Sequence, residues 1–179
     1  ADPGLTAEGE RQAKAVAERL ARTGGVHAVV CSPLRRTRET AAVVAEALGA
    51  SVREVDGFAE CGFGEWDGLT FDEVRSGWAD GLASWLADPS AQAPGGESYR
   101  DVRRRVLRAR DQVLARHPGK TVLVVTHVTP IKVLVADAVG APISALYRME
   151  LSPATLSEVQ WYAGGHAALR RFNDAAHLL

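Results

Sequence analysis

Cysteine is nearly absent from this sequence, with two residues, Cys31 and Cys61, in a chain of 179. So few thiols exclude a disulfide framework and point to a reducing, cytoplasmic compartment. The five histidines are scattered, and no Cys/His group has the spacing of metal ligands. No apolar run approaches the roughly 20 residues needed to span a membrane. No signal peptide is visible at the start. Charge of one sign is also missing, since the net charge is −1. A chain so balanced is not built as a whole to coat nucleic acid. Repeats, low-complexity tracts and linkers are absent. What remains is 46% hydrophobic and 24% charged, the composition of a globular domain long enough for a sizeable core.

Two kinds of apolar pattern run through the chain. Short valine-rich runs at Val26–Cys31 and Thr121–Val125 read as strands buried on both faces, and Ser51–Val55 reads as a third strand. Between them lie helical periodicities with recognisable ends. Thr6 is an N-cap with Glu8 and Glu10 behind it, and Gly24 and Gly25 stop that helix. Ser32 and Pro33 read as the cap and first position of the next helix, which Gly49 ends. Thr70 with Glu73, and Ser98 with Asp101, form capping boxes. A further helix spans Trp78 to Leu86, and Ser90–Gly96 reads as a flexible loop, a pocket rim or lid. Ala154–Tyr162 and His166–Asn173 read as two strands joined by Ala163-Gly164-Gly165. The order predicts an α/β protein, a three-layer α/β/α sandwich whose mostly parallel sheet has an antiparallel edge.

Three residues have positions that chemistry can use. In the central stretch TVLVVTHVTP the apolar run ends in Thr126 and His127, which puts His127 at the carboxyl end of a strand, where open α/β sheets bind ligands. Thr129 and Pro130 follow as cap and first position of an apolar helix, whose N-terminus favours an anion. Arg35 and Arg36 lie in the first turn of their helix, where the dipole disfavours a cation, and an arginine there points to a bound anion. One of the pair is read as mere surface charge. Glu60 sits in a loop rich in glycine and aromatics, where a carboxylate can serve as general acid and then base. Arginine fork, histidine and glutamate together describe phosphate-ester chemistry that needs no metal and no cofactor. Arg100, Arg103, Arg104, Arg105, Arg108, Arg110 and Arg116 form a basic stripe on one helix. With no interleaved aromatics it reads as a solvated face rather than a nucleic-acid surface.

The motifs, taken in order, resemble the histidine phosphatase (phosphoglycerate mutase-like) superfamily over nearly the whole chain. DPGLTAEGERQA is similar to the segment after its first catalytic motif. SPLRRT is similar to its Ser-Pro-Leu-x-Arg-Ala, ECGFGEWDGLT to its Glu-x-x-Phe-Gly-x-Trp-Glu-Gly, PGGES to a substrate-loop motif, and THVTPIK to its Ser-His-Gly-Gly. The resemblance implies that Glu60 and His127 are catalytic, that Arg36, His127 and Val128 bind phosphate, and that Glu97 and Ser98 belong to the substrate loop. The details look most like the α-ribazole phosphatase branch, as found fused behind ribonuclease H in actinobacterial proteins. The implied activity is a metal-independent phosphomonoesterase (an acid or α-ribazole phosphatase) acting through phosphohistidine on a small phosphorylated substrate. Phosphoglycerate mutase-like transfer, or a non-catalytic phosphate- or partner-binding module attached to ribonuclease H, are the alternatives. No Arg-His-Gly occurs in residues 1–179, so the resemblance implies that the family's first strand and nucleophilic histidine lie upstream of Ala1.

Overall fold

The computed structural model describes residues 2–179. Three parallel strands form its centre: β1 (Ala28–Cys31), β2 (Val52–Glu54) and β3 (Val122–Val125). They are ordered β2-β1-β3. Val29 faces Val52 on one side and Leu123 on the other. Successive residues of a strand point to opposite faces, and here that alternation sorts the core into layers. Val30 enters a cluster with Val102, Val106, Ala109, Val133 and Phe58, backed by Val122 and Val124. Val29 and Cys31 point the other way, toward Ala41, Leu123 and Val125. The first cluster is roofed by α5 (Tyr99–Arg116) and α6 (Val128–Ala138), the second by α2 (Arg35–Leu48). Below α2 lies α1 (Ala7–Thr23), packed through Val16 and Ala17 onto Val44. Each valine wholly removed from water contributes roughly 1.5–3 kcal/mol, so the runs that are apolar on both faces are what hold the layers together.

Caps act where the sequence signals them in three places. Thr6 accepts from Gly9 N–H at the start of α1. Reciprocal capping boxes open α3 (Phe71–Gly77) at Thr70/Glu73 and α5 at Ser98/Asp101. Two expected starts move. The helix after β1 begins at Arg35, not Pro33, with Leu34 as a cap that makes no side-chain bond. Asp2 supplies the missing acceptor, its Oδ1 taking the Arg35 N–H at 2.8 Å from 33 residues away. The helix after β3 begins at Val128, with His127 as N-cap, so Thr129 lies inside it. Pro130 is then its third residue, a place where a missing N–H costs nothing.

The excursion from Glu60 to Ser98 holds α3 and α4 (Ala79–Ala87) and builds its own core of Trp66, Val74, Leu82, Trp85 and Ala93. The Ser90–Gly96 segment is pinned: Pro94 accepts from Glu65 N–H at 2.9 Å. A Cβ on Gly64, at φ +55°, would lie 2.1 Å from the Pro94 oxygen. The antiparallel strands are present as β4 (Leu156–Trp161) and β5 (Ala167–Asp174), hydrogen-bonded to each other as a two-stranded ribbon beside the parallel sheet. Arg19 ties it to α1 through Asp174 at 2.5 Å, and Arg110 covers the Trp161 ring at 5.3 Å while pairing with Asp137. The arginine stripe is therefore not one solvated face, since Arg110 and Arg105 turn inward. No helix among the described residues is long and apolar enough to cross a membrane.

Candidate active site

The carboxyl ends of β1 and β3 put Ser32, Arg36 and His127 side by side. His127 is only 7% exposed. Its Nδ1 lies 3.1 Å from an Arg36 terminal nitrogen and its Nε2 2.7 Å from Ser32 Oγ. Arginine can only donate, so Nδ1 is the bare nitrogen and Nε2–H donates to the serine. The ring is held neutral: burial above all, then the charges of Arg36 and Arg105, push its pKa down to about 4, against a smaller opposing pull from Asp2.

Arg36 is half-buried, and no carboxylate pairs with it among the described residues. Its neighbour differs, because Arg35 is exposed and donates to Glu39 at 2.7 Å. The start of α6 adds a further donor. Among the described residues Val128 N–H has no partner, while Thr129 N–H is 3.4 Å from Glu60 Oε2. An unpaired guanidinium, a buried histidine and an open helix N-terminus make a cradle for an oxyanion.

Glu60 reaches this cradle from the opposite loop. The turn before it, Asp56–Phe58, is anchored by Phe58 in the core and by Thr126 Oγ1, which donates to the Phe58 carbonyl at 2.6 Å. That turn can lie against α5 only because residue 57 is glycine, since a Cβ there would sit 2.6 Å from Ala109 Cβ. The Glu60 carboxylate accepts from Cys61 N–H at 2.7 Å as well as from Thr129 N–H. Sequence reasoning thus named four residues that meet here: Arg36, Glu60, His127 and Val128.

Glu97 and Ser98, which the resemblance assigns to a substrate loop, are engaged within the protein instead. Ser98 is buried, its hydroxyl donating to Asp101 Oδ2 at 2.6 Å and accepting the Asp101 N–H. Glu97 accepts from both Arg105 Nε and a terminal nitrogen at 2.8 Å, and from Gly62 N–H at 3.0 Å. Burial pushes the Glu97 carboxyl up, but Arg105 and Gly62 outweigh it and hold the group below its ordinary value. Ser32 and Arg105 are the residues that spacing does not reveal. Ser32 stands inside the SPLRRT motif in a cap's position, and Arg105 carries no local signal.

A surface groove of about 940 Å³ lies elsewhere, on the outer side of α5, lined by Arg100, Arg103, Arg104 and Arg108. It is open to solvent and holds neither His127 nor Glu60, so chemistry rather than volume marks the site. Among the described residues no group of three or more His, Cys, Asp or Glu is placed to hold a metal ion.

A family model described as "Histidine phosphatase superfamily (branch 1)" matches residues 1–175. The chain belongs to the histidine phosphatase superfamily. It is 46% identical over 177 residues to the Mycobacterium tuberculosis "Bifunctional protein Rv2228c", covering 99% of this chain and 49% of that protein. It is 30% identical over 178 residues to "Phosphoserine phosphatase 1" of Hydrogenobacter thermophilus, covering 99% and 83%. The native structure of the mycobacterial glucosyl-3-phosphoglycerate phosphatase Rv2419c superposes with a TM-score of 0.86 at 26% identity, covering 97% and 88%. This histidine phosphatase chain thus spans about half the length of the first curated relatives it matches.

Proposed function

We propose that this domain hydrolyses phosphate monoesters without a metal ion and passes the phosphoryl group through a histidine. One observation carries the reading: the half-buried Arg36 has no carboxylate partner and lies 3.1 Å from His127 at the open end of α6. In this reading a phosphate dianion takes the Arg36 fork and the Val128 N–H. His127 becomes a further donor once the anion draws a proton onto it.

Glu60, bonded one residue further along the same helix start, serves the ester oxygen. In the first step the ester P–O bond breaks, a P–N bond to an imidazole forms, and the alcohol leaves with the Glu60 proton. In the second, water attacks phosphorus, the P–N bond breaks, and Glu60 takes the water's proton as inorganic phosphate departs. Attack must come in line, opposite the leaving oxygen. His127 holds the phosphoryl oxygens and so cannot be that nucleophile. We assign it to a segment upstream of Asp2, carried on a strand of this same domain. Supporting this, β3 ends the parallel sheet although all four of its residues are apolar and half-buried.

The substrate is a small phosphorylated alcohol. α-Ribazole phosphate comes first from the motif resemblance. Phosphoserine and glucosyl-3-phosphoglycerate, after which two relatives are named, complete a first panel. A ribonuclease H domain upstream, which the motif resemblance implies, is part of the same proposal; that the chain covers 49% of a relative called bifunctional leaves room for a second domain. The test is Arg36→Ala against Arg35→Ala in the full-length protein with an aryl phosphate. Losing a positioned donor to developing charge costs about 3–4 kcal/mol, or roughly two to three orders of magnitude in rate. Arg35→Ala should be mild, since its side chain is spent on Glu39 at the surface. Equal losses would sink the reading.

A further inference from the structure

The geometry points to Arg105 as the positioning residue that sets Glu60 and joins it to the 94–98 loop. This rests on the reading of Glu60 as general acid, and it concerns a residue that touches neither phosphate nor Glu60's carboxylate.

Every donor of the Arg105 guanidinium has a partner. Nε donates to Glu97 Oε1 at 2.8 Å. One terminal nitrogen donates to the carbonyls of Gly57 at 3.0 Å and Ala59 at 2.7 Å. The other donates to the Glu60 carbonyl at 2.9 Å and to Glu97 Oε2 at 2.8 Å. Five N–H groups thus meet five acceptors, three of them backbone oxygens in the four residues that end at Glu60. The side chain is 24% exposed, so water competes little.

Glu97 completes the circuit. Its Oε2 takes the Gly62 N–H, and its own N–H donates to the Gly62 carbonyl at 2.7 Å. The backbone is therefore held on both sides of Glu60, by Arg105 before it and Glu97 after it. Glu60 turns its carboxylate back onto Cys61 N–H and across to Thr129 N–H, so the direction of that carboxylate follows from the backbone Arg105 holds. A network this saturated depends on a planar fork. Lysine keeps the charge but offers three donors from a single point and cannot span a carboxylate and three carbonyls together. The other arginines of the stripe do not share the role: Arg103 and Arg104 pair outward with Asp137 and Asp101.

The experiment compares Arg105→Lys and Glu97→Gln with wild type in the full-length protein, using an alkyl and an aryl phosphate. A misplaced acid hurts the ester whose leaving group needs a proton. A displacement of about 1 Å can cost on the order of 100-fold, so that loss is expected in kcat for the alkyl ester, with the aryl ester and KM little changed. The double variant should be no worse than the more severe single one, because the two residues act through one network. Amide hydrogen exchange at Cys61 and Gly62 should speed up in both variants. Equal loss on both esters, or unchanged exchange at those amides, overturns the assignment. If wild type turns over no phosphate ester, the phosphatase reading fails by itself, and the exchange measurement alone decides whether Arg105 positions the loop.

Discussion

His127 should titrate far below an ordinary histidine, and phosphate should undo that. The ring is buried, and its one free lone pair already faces the Arg36 guanidinium. With the folded pKa near 4 and an ordinary value near 6.5, forming imidazolium costs about 3 kcal/mol more in the fold than in water. The sign follows from proton counting. Below pH 6.5 the unfolded chain binds a proton at His127 while the fold does not, until pH nears 4. Stability from this residue is therefore complete above about pH 6.5 and lost as pH falls toward 4, by roughly 2 kcal/mol at pH 5. A phosphate dianion in the cradle reverses the electrostatics, giving Arg36 another acceptor and making the imidazolium favourable. The assay is a ring-carbon NMR titration of His127 with and without inorganic phosphate, paired with urea unfolding from pH 8 to 5 for wild type and His127→Gln. The expected midpoint is near 4 in the free protein and higher with phosphate, and the glutamine variant should show a flatter pH dependence. A midpoint near 6.5 without phosphate, or one that phosphate leaves unmoved, would refute the reasoning.

Three further expectations follow from the same geometry. Glu60→Gln should slow alkyl phosphates far more than aryl phosphates that depart without a proton, and parallel losses would mean that Glu60 only shapes its loop. Cys31 and Cys61 are free and buried, in separate parts of the core, and burial above all pushes their thiols up to about 11 and about 12. Neither should react with a thiol reagent at neutral pH until the protein is unfolded, so fast labelling of the native state would contradict the packing. Finally, with the nucleophile placed upstream as proposed, residues 1–179 alone should not turn over an aryl phosphate, whereas a chain extended upstream should. Ordinary turnover by the short form that depends on His127 would show that the nucleophile lies elsewhere.

Much of the layer structure was legible in one dimension because the signals are local. A short apolar run such as that of β1 or β3 reads as a strand with a helix on each face, and a serine followed three residues later by an aspartate satisfies N–H groups of the same turn. The motif order was equally readable, so the cradle residues Arg36, His127, Val128 and Glu60 could be named before their distances were known. What the sequence determined by itself were the elements, their order, and which residue types stand at the ends of strands.

Local signals misled where a distant group took over. Ser32 looks like a cap, yet its hydroxyl bonds His127, and Asp2 caps the helix in its place. Arg35 and Arg36 share one helix turn, and without the motif resemblance nothing local tells them apart. The fold separates them by setting Glu39 against one and His127 against the other. Arg105 is hidden in a run of arginines because all five of its acceptors belong to Glu97 and to the segment ending at Glu60, between 8 and 48 positions away. Periodicity carries no information about acceptors that arrive from another loop. Which arginine is left without a carboxylate, which one holds a loop, and which face only water were therefore decided by tertiary structure, because a guanidinium's role is set by the oxygens the fold brings to it.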